Sequence, residues 1–173
     1  MRLIKIIACL DIKDGKVVKG VNFGNLRNVS DPVEAAESYC RQGVDELVFL
    51  DIFATLENRR TRLEWVKRVV NKATVPLAVG GGIGSIEDAA ELINLGVSKI
   101  SMNTAAVQKP EMVSKVSRQF GKERVVVAID GRKNQPGSGL PRLEVVTNSG
   151  NKATGRDIVT WAKEVEELGA GEI

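Results

Sequence analysis

Gly43-Val44-Asp45-Glu46-Leu47-Val48-Phe49-Leu50-Asp51 holds the unit from which this chain is built. A glycine suits the left-handed turn that closes a helix. A short polar step follows, and then an apolar run that stops at an acid. The junction returns twice, as Gly96-Val97-Ser98-Lys99-Ile100 and as Gly169-Ala170-Gly171-Glu172-Ile173. Other apolar runs cover residues 4–11, Pro76-Leu77-Ala78-Val79 leading into Gly80-Gly81-Gly82, Ile100-Ser101-Met102-Asn103 more weakly, and Val125-Val126-Val127-Ala128-Ile129-Asp130. Near-continuous runs rich in β-branched residues read as strands buried on both faces, as in parallel sheets. Helical patterns lie between them. Asp31-Pro32 opens one, with Asp as N-cap and Pro in the first turn. Others cover residues 60–71, 85–95, 110–120 and 154–168, the second opening on a Ser-x-x-acid box at Ser85 and Asp88.

Strands that alternate with helices predict βα units and a parallel sheet. The chain holds five such units and the start of a sixth strand, in a length of 173 residues that suits a single domain over 1–173. Two strand-exit loops are long. Residues 13–30 contain a hairpin signal at Val17-Val18-Lys19-Gly20, and residues 131–153 another around Leu143-Glu144-Val145-Val146. A doubly wound open sheet and a (β/α)8 barrel both fit this order. The barrel needs eight strands and about 250 residues, so this chain would be its N-terminal part.

Composition removes several classes of function. Histidine is absent, which excludes Ser-His-Asp and Cys-His catalysis and most zinc sites within the chain. Cys9 and Cys40 form neither a disulfide framework nor a metal-ligand spacing. No apolar run approaches the ~20 residues of a membrane span, and no secretory signal opens the chain. A net charge of +3 without a dense basic block, and 4% aromatics, supply no stacking platform for nucleic acid. The expectation is a cytoplasmic protein acting on small molecules, with acid–base work left to carboxylates, lysines, tyrosine or cysteine.

Strand parity sorts the acids. Lys5, Ile7, Cys9 and Asp11 share one face of the first strand, and Arg124, Val126, Ala128 and Asp130 one face of the fifth. Each stack ends on a carboxylate at the strand's C-terminal end, where parallel α/β proteins place their ligands. Across a barrel mouth Asp11 and Asp130 could serve as general acid and base; the alternative is that each caps a loop. Asp51 has the opposite parity to Glu46, Val48 and Leu50 and weighs less. Gly80-Gly81-Gly82, just before a helix, has the form of a phosphate cradle or, equally, a tight turn. Asn103 and Thr104 could add donors, and Lys19 could reach an anion or simply be solvated. Lys5, Glu46, Lys99 and Glu172 all open strands, so on a barrel they would ring the pole on the order of 20 Å from Asp11, at ~3.3 Å per residue.

With these residues in view, the chain resembles the cyclase subunit of imidazole glycerol phosphate synthase. The likeness runs through residues 8–23, 45–52, 79–83, 101–106 and 125–130, in order. It implies a (β/α)8 barrel of the TIM type. It implies a lyase of histidine biosynthesis that takes ammonia and a phosphoribulosyl aminoimidazole-carboxamide nucleotide, and releases imidazole glycerol phosphate and an aminoimidazole carboxamide ribotide. The catalytic pair corresponds to Asp11 and Asp130, the loop lysine to Lys19, and one phosphate site to Gly82, Asn103 and Thr104, with Gly81 beside them. The ammonia gate facing a glutaminase partner corresponds to Lys5, Glu46, Lys99 and Glu172. No metal or cofactor is implied. Position 5 is more often arginine in the family; Lys5 keeps the charge without the fork. Ser98 stands where an acid is common, the loop with Gln135-Pro136-Gly137-Ser138-Gly139 is longer, and strands 6 to 8 with the second phosphate site are missing. The alternatives are the sister phosphoribosyl isomerase of the same pathway, or a non-catalytic phosphate-binding module. With open sheet edges, a chain of this length alone is expected to self-associate and not to turn over.

Overall fold

The computed structural model describes residues 4–21, 24–133 and 143–173. Asn22-Phe23 of the matched first loop and the segment 135–139 lie outside them. The chain divides into two compact units, Met1–Ile83 with Glu87–Ile100, and Gly84–Ile86 with Ser101–Ile173.

The first unit runs β1 (Ile7–Lys13), β2 (Lys16–Val21), β3 (Gly24–Ser30), α1 (Pro32–Arg41), β4 (Glu46–Asp51), α2 (Leu63–Val70), β5 (Leu77–Gly80), most of α3 (Ile86–Asn94) and the first half of β6 (Lys99–Met102). Its strands lie in the order β3-β2-β1-β4-β5, continuing to β6. β1 pairs parallel with β4, Cys9 opposite Val48 and Asp11 opposite Leu50, and β4 pairs parallel with β5. β2 and β3 are the antiparallel hairpin expected in the first long loop. Register assigns the faces. Leu10, Ile12, Leu47, Phe49, Leu77 and Val79 share one face and are all buried. Cys9, Asp11, Val48 and Leu50 share the other, which stays partly open.

The second unit holds the end of β6, α4 (Thr104–Gln108), α5 (Glu111–Phe120), a 3-10 turn at Lys122–Arg124, β7 (Val125–Val127), β8 (Asp130–Lys133), β9 (Leu143–Thr147), β10 (Lys152–Asp157) and α6 (Ile158–Glu167). The Ala128 amide donates to the Met102 carbonyl at 2.9 Å, and Val126 forms a parallel bridge with Glu172. β8, β9 and β10 make a separate antiparallel sheet. Val113, Val116, Val125, Val127, Val145, Trp161 and Val165 are buried within this unit.

The repeated junction is a helix stop of one geometry. Gly43, Gly96 and Gly169 have φ of 82°, 101° and 99°. The following residue donates five positions back each time: Val44 to Tyr39, Val97 to Leu92, Ala170 to Val165. That is the six-to-one bond of a Schellman stop. The next amide then starts a strand: Asp45 donates to Ile6, Ser98 to Leu77, and Gly171 to Val125.

Four expectations shift. The first strand starts at Ile7 because its partner starts opposite it at Glu46, and Ile4 and Ile6 stay exposed. The run from Val125 to Asp130 breaks after Val127, since Asp130 leaves to pair with Val146. Arg60–Arg62 precede α2 as loop, and residues 154–157 belong to β10, with Asp157 capping α6 through the Thr160 amide at 2.9 Å. The short α4 has no strong pattern of its own.

Candidate active site

Asp11 stands at the C-terminal end of β1 on the open face, where its side chain is 26% exposed. Lys19, carried by β2, brings its Nζ to 3.8 Å from Asp11 Oδ2. Two residues the chain separates by a hairpin turn are thus brought together by that turn, Asp14 and Gly15 both taking positive φ. Cys9 precedes Asp11 on the same face. Partial burial pushes its thiol up, the Asp11 carboxylate adds to this, and Lys19 opposes it.

Gly81 and Gly82 follow β5 with φ of 94° and 65°. A Cβ on Gly81 would strike the Asp51 carbonyl, and one on Gly82 would lie 2.7 Å from Ala54 Cβ. The glycines are therefore demanded by both conformation and space. Asp51 itself points to the covered face. It is buried, and Arg59 grips it with Nη1 at 2.6 Å and Nη2 at 2.8 Å. Hydrogen bonding to Asp51 holds the Arg59 guanidinium above its ordinary value; burial opposes this and Glu57 adds to it.

At the opposite end of β4, Glu46 is buried and receives Lys99 Nζ at 2.7 Å and Lys5 Nζ at 3.1 Å. All these residues belong to the first unit.

The second unit carries the rest. Asp130 opens β8, is exposed, and accepts a hydrogen bond from Asn103 Nδ2 at 2.9 Å. Asn103 Oδ1 is buried without a hydrogen-bond partner among the described residues. Thr104 opens α4, and its Oγ1 accepts from the Asn148 amide at 3.1 Å, which leaves the hydroxyl proton free to be donated elsewhere. Glu172 sits opposite Val126. Each predicted residue thus finds a neighbour from the same set or a defined backbone seat. Arg59, Thr61 and Asn148 were not singled out by the sequence. Only the basic run Arg59-Arg60-Thr61-Arg62 after an acid-ended strand hints at the first two.

The set can handle protons at two carboxylates and meet anions with a lysine, glycine amides and a threonine hydroxyl. No helix among the described residues is long and apolar enough to cross a membrane. Comparison with known proteins agrees with the (β/α)8 class that the resemblance implies. The chain is 52% identical over 169 residues to the imidazole glycerol phosphate synthase subunit HisF of Cytophaga hutchinsonii. The match takes in 98% of this chain and 65% of that relative, so the chain spans a little less than two thirds of its length. The family model described as "Histidine biosynthesis protein" matches residues 5–173. Matched over nearly its whole length, the chain belongs to the histidine biosynthesis protein family.

Proposed function

We propose that this protein is the cyclase subunit of imidazole glycerol phosphate synthase. It works in the cytoplasm as a (β/α)8 lyase and uses ammonia delivered by a glutaminase partner. The ammonia and a doubly phosphorylated ribulosyl aminoimidazole-carboxamide nucleotide become imidazole glycerol phosphate and an aminoimidazole carboxamide ribotide. The observation that carries this reading is the seating of Lys19 beside Asp11 at the strand's C-terminal end, in a chain 52% identical to a subunit of that enzyme.

In this reading Asp11 and Asp130 do the proton work. Nitrogen must add to a carbonyl, water must leave, a ring must close and a carbon–nitrogen bond must break. Each step needs a proton given or taken at a fixed place. Asn103 fixes the Asp130 carboxylate through its amide donor. Gly81 and Gly82 offer backbone amides to a phosphate, and Thr104 has a hydroxyl proton to donate to an anion. Lys19 meets the substrate's negative charge over Asp11. Lys5, Glu46, Lys99 and Glu172 form the gate through which ammonia enters from the partner. A charged ring passes a small polar molecule only where its ion pairs can part, and Lys5, more than half exposed, is the most easily moved of the members seen around Glu46.

A steady-state assay of the full-length protein with the nucleotide substrate and an ammonium salt tests the proposal. Imidazole glycerol phosphate is the expected product. Turnover of the isomerase's substrate instead, with none of the cyclase's, would assign the chain to the sister enzyme.

A further inference from the structure

We infer that Arg59 is a positioning residue for phosphate binding, holding the Gly81–Gly82 cradle in shape and bracing the hairpin that carries Lys19; this rests on the reading of those glycines as a phosphate site. The starting point is the cost of Asp51. A carboxylate with no exposed side-chain surface is tolerated only when paired and hydrogen-bonded. Arg59 supplies a two-pronged grip on it, while its Nε binds Glu57 at 2.6 Å. Such a fork sets direction as well as charge.

The pair closes a loop on itself. Between its members the Ala54 amide donates to Asp51, that of Glu57 to Phe53, that of Asn58 to Thr55 and that of Arg59 to Ala54. Asn58 takes the left-handed φ of 50° that lets the last turn close. The closed loop is the wall on which the glycines rest. The Asp51 carbonyl lies against Gly81. The Arg59 carbonyl lies where a Cβ of Gly82 would meet it at 2.5 Å. The Thr61 hydroxyl donates to the Gly81 carbonyl. Both ends of the ion pair therefore touch the cradle through their backbone carbonyls, and the residue two beyond touches it through its hydroxyl.

The same guanidinium reaches the other anion-binding element. Arg59 lies 5.6 Å from the Trp65 ring, and Trp65 Nε1 would stand 3.1 Å from a Cβ on Gly15, the turn of the Lys19 hairpin. Buried ion pairs are often matched in stability by apolar packing, so stability alone does not account for a fork that contacts supports of both elements.

The test uses Arg59→Lys, which keeps the charge and loses the fork, and Thr61→Val, nearly isosteric, which removes only the bond to Gly81. Folding is checked by thermal melting, and substrate KM and kcat are read with an ammonium salt. A folded Arg59→Lys protein should show KM raised by about fivefold or more, with kcat changed by less than about threefold, as expected of misplaced binding groups. A smaller rise in KM overturns the inference. If Arg59→Lys does not fold, the KM of Thr61→Val decides by the same criterion. If the unmodified full-length protein turns over nothing, the cyclase reading has failed, and inorganic phosphate decides the inference alone. Phosphate should move the Gly81 and Gly82 amide resonances, and the variant should need about fivefold more of it. Unmoved amides, or equal midpoints, overturn it.

Discussion

Glu46 and Asp51 begin and end one strand, and both are buried acids, yet register turns them to opposite faces. Glu46 meets two lysines, of which Lys99 is 15% exposed and Lys5 53%. Removing the more buried partner leaves the buried carboxylate to the half-exposed Lys5, so Lys99→Met should cost about 3 kcal/mol in denaturant unfolding. Lys5→Met should cost under about 1 kcal/mol. The candidate catalytic acids should behave differently: Asp11→Asn and Asp130→Asn should leave stability nearly unchanged and lower kcat by about 10²-fold or more. Asp31 illustrates a third use. It caps α1 through the Val33 amide at 2.9 Å and pairs with Arg68 and Lys16. Slight burial would raise its carboxyl, but the Val33 amide, Arg68 and Lys16 outweigh this and hold it below the usual carboxylate range. A depressed folded value means the stabilisation is complete above the unfolded value near about pH 4 and fades as pH falls through the lower, folded one. Asp31→Ala should therefore cost about 1 kcal/mol near neutral pH. The gap from the parent should shrink in acid, as unfolding curves across the pH range would show.

At the scale of elements, the three Schellman stops show why the βα order was legible. A helix stop is a local event, and each is written in a few adjacent residues. At Gly43 no atom lies near a built Cβ, so substitution there tests conformation alone. Gly43→Ala should cost about 1–2 kcal/mol and Gly43→Asn less, since asparagine tolerates the left-handed region. Gly82→Ala adds a steric collision to the same conformational strain and should cost at least about 2 kcal/mol, with a matching fall in melting temperature. The break after Val127 was not legible, because Val125 to Asp130 reads as one apolar run ended by an acid. Only the pairing of Asp130 with Val146 divides it, and that partner lies on a distant strand. The parity that joined Asp130 to Val126 and Ala128 thus belonged to a strand that ends earlier.

At the scale of the molecule, the sequence has two tryptophans, and each unit holds one. Trp65 is partly exposed in the first, and Trp161 is buried in the second. β6 gives its first residues to one unit and its last to the other. Proteins carrying Trp65→Phe or Trp161→Phe should therefore unfold with superimposable fluorescence and circular-dichroism transitions, as one cooperative domain. Two separated transitions would mean the units are independent. What the sequence determined by itself was the alternation of strand and helix, the parallel class, the family, and the short set of acids and lysines worth suspecting. Caps, turns and apolar periods act between near neighbours, so they can be read along the chain. What only the tertiary structure decided was which of those residues meet. Lys5 and Lys99 lie 41 and 53 positions from Glu46, Asp51 faces the covered side, and Arg59 folds back to grip it. Such meetings depend on strand register and loop closure. These are settled by packing over the whole fold, and no local stretch of residues encodes them.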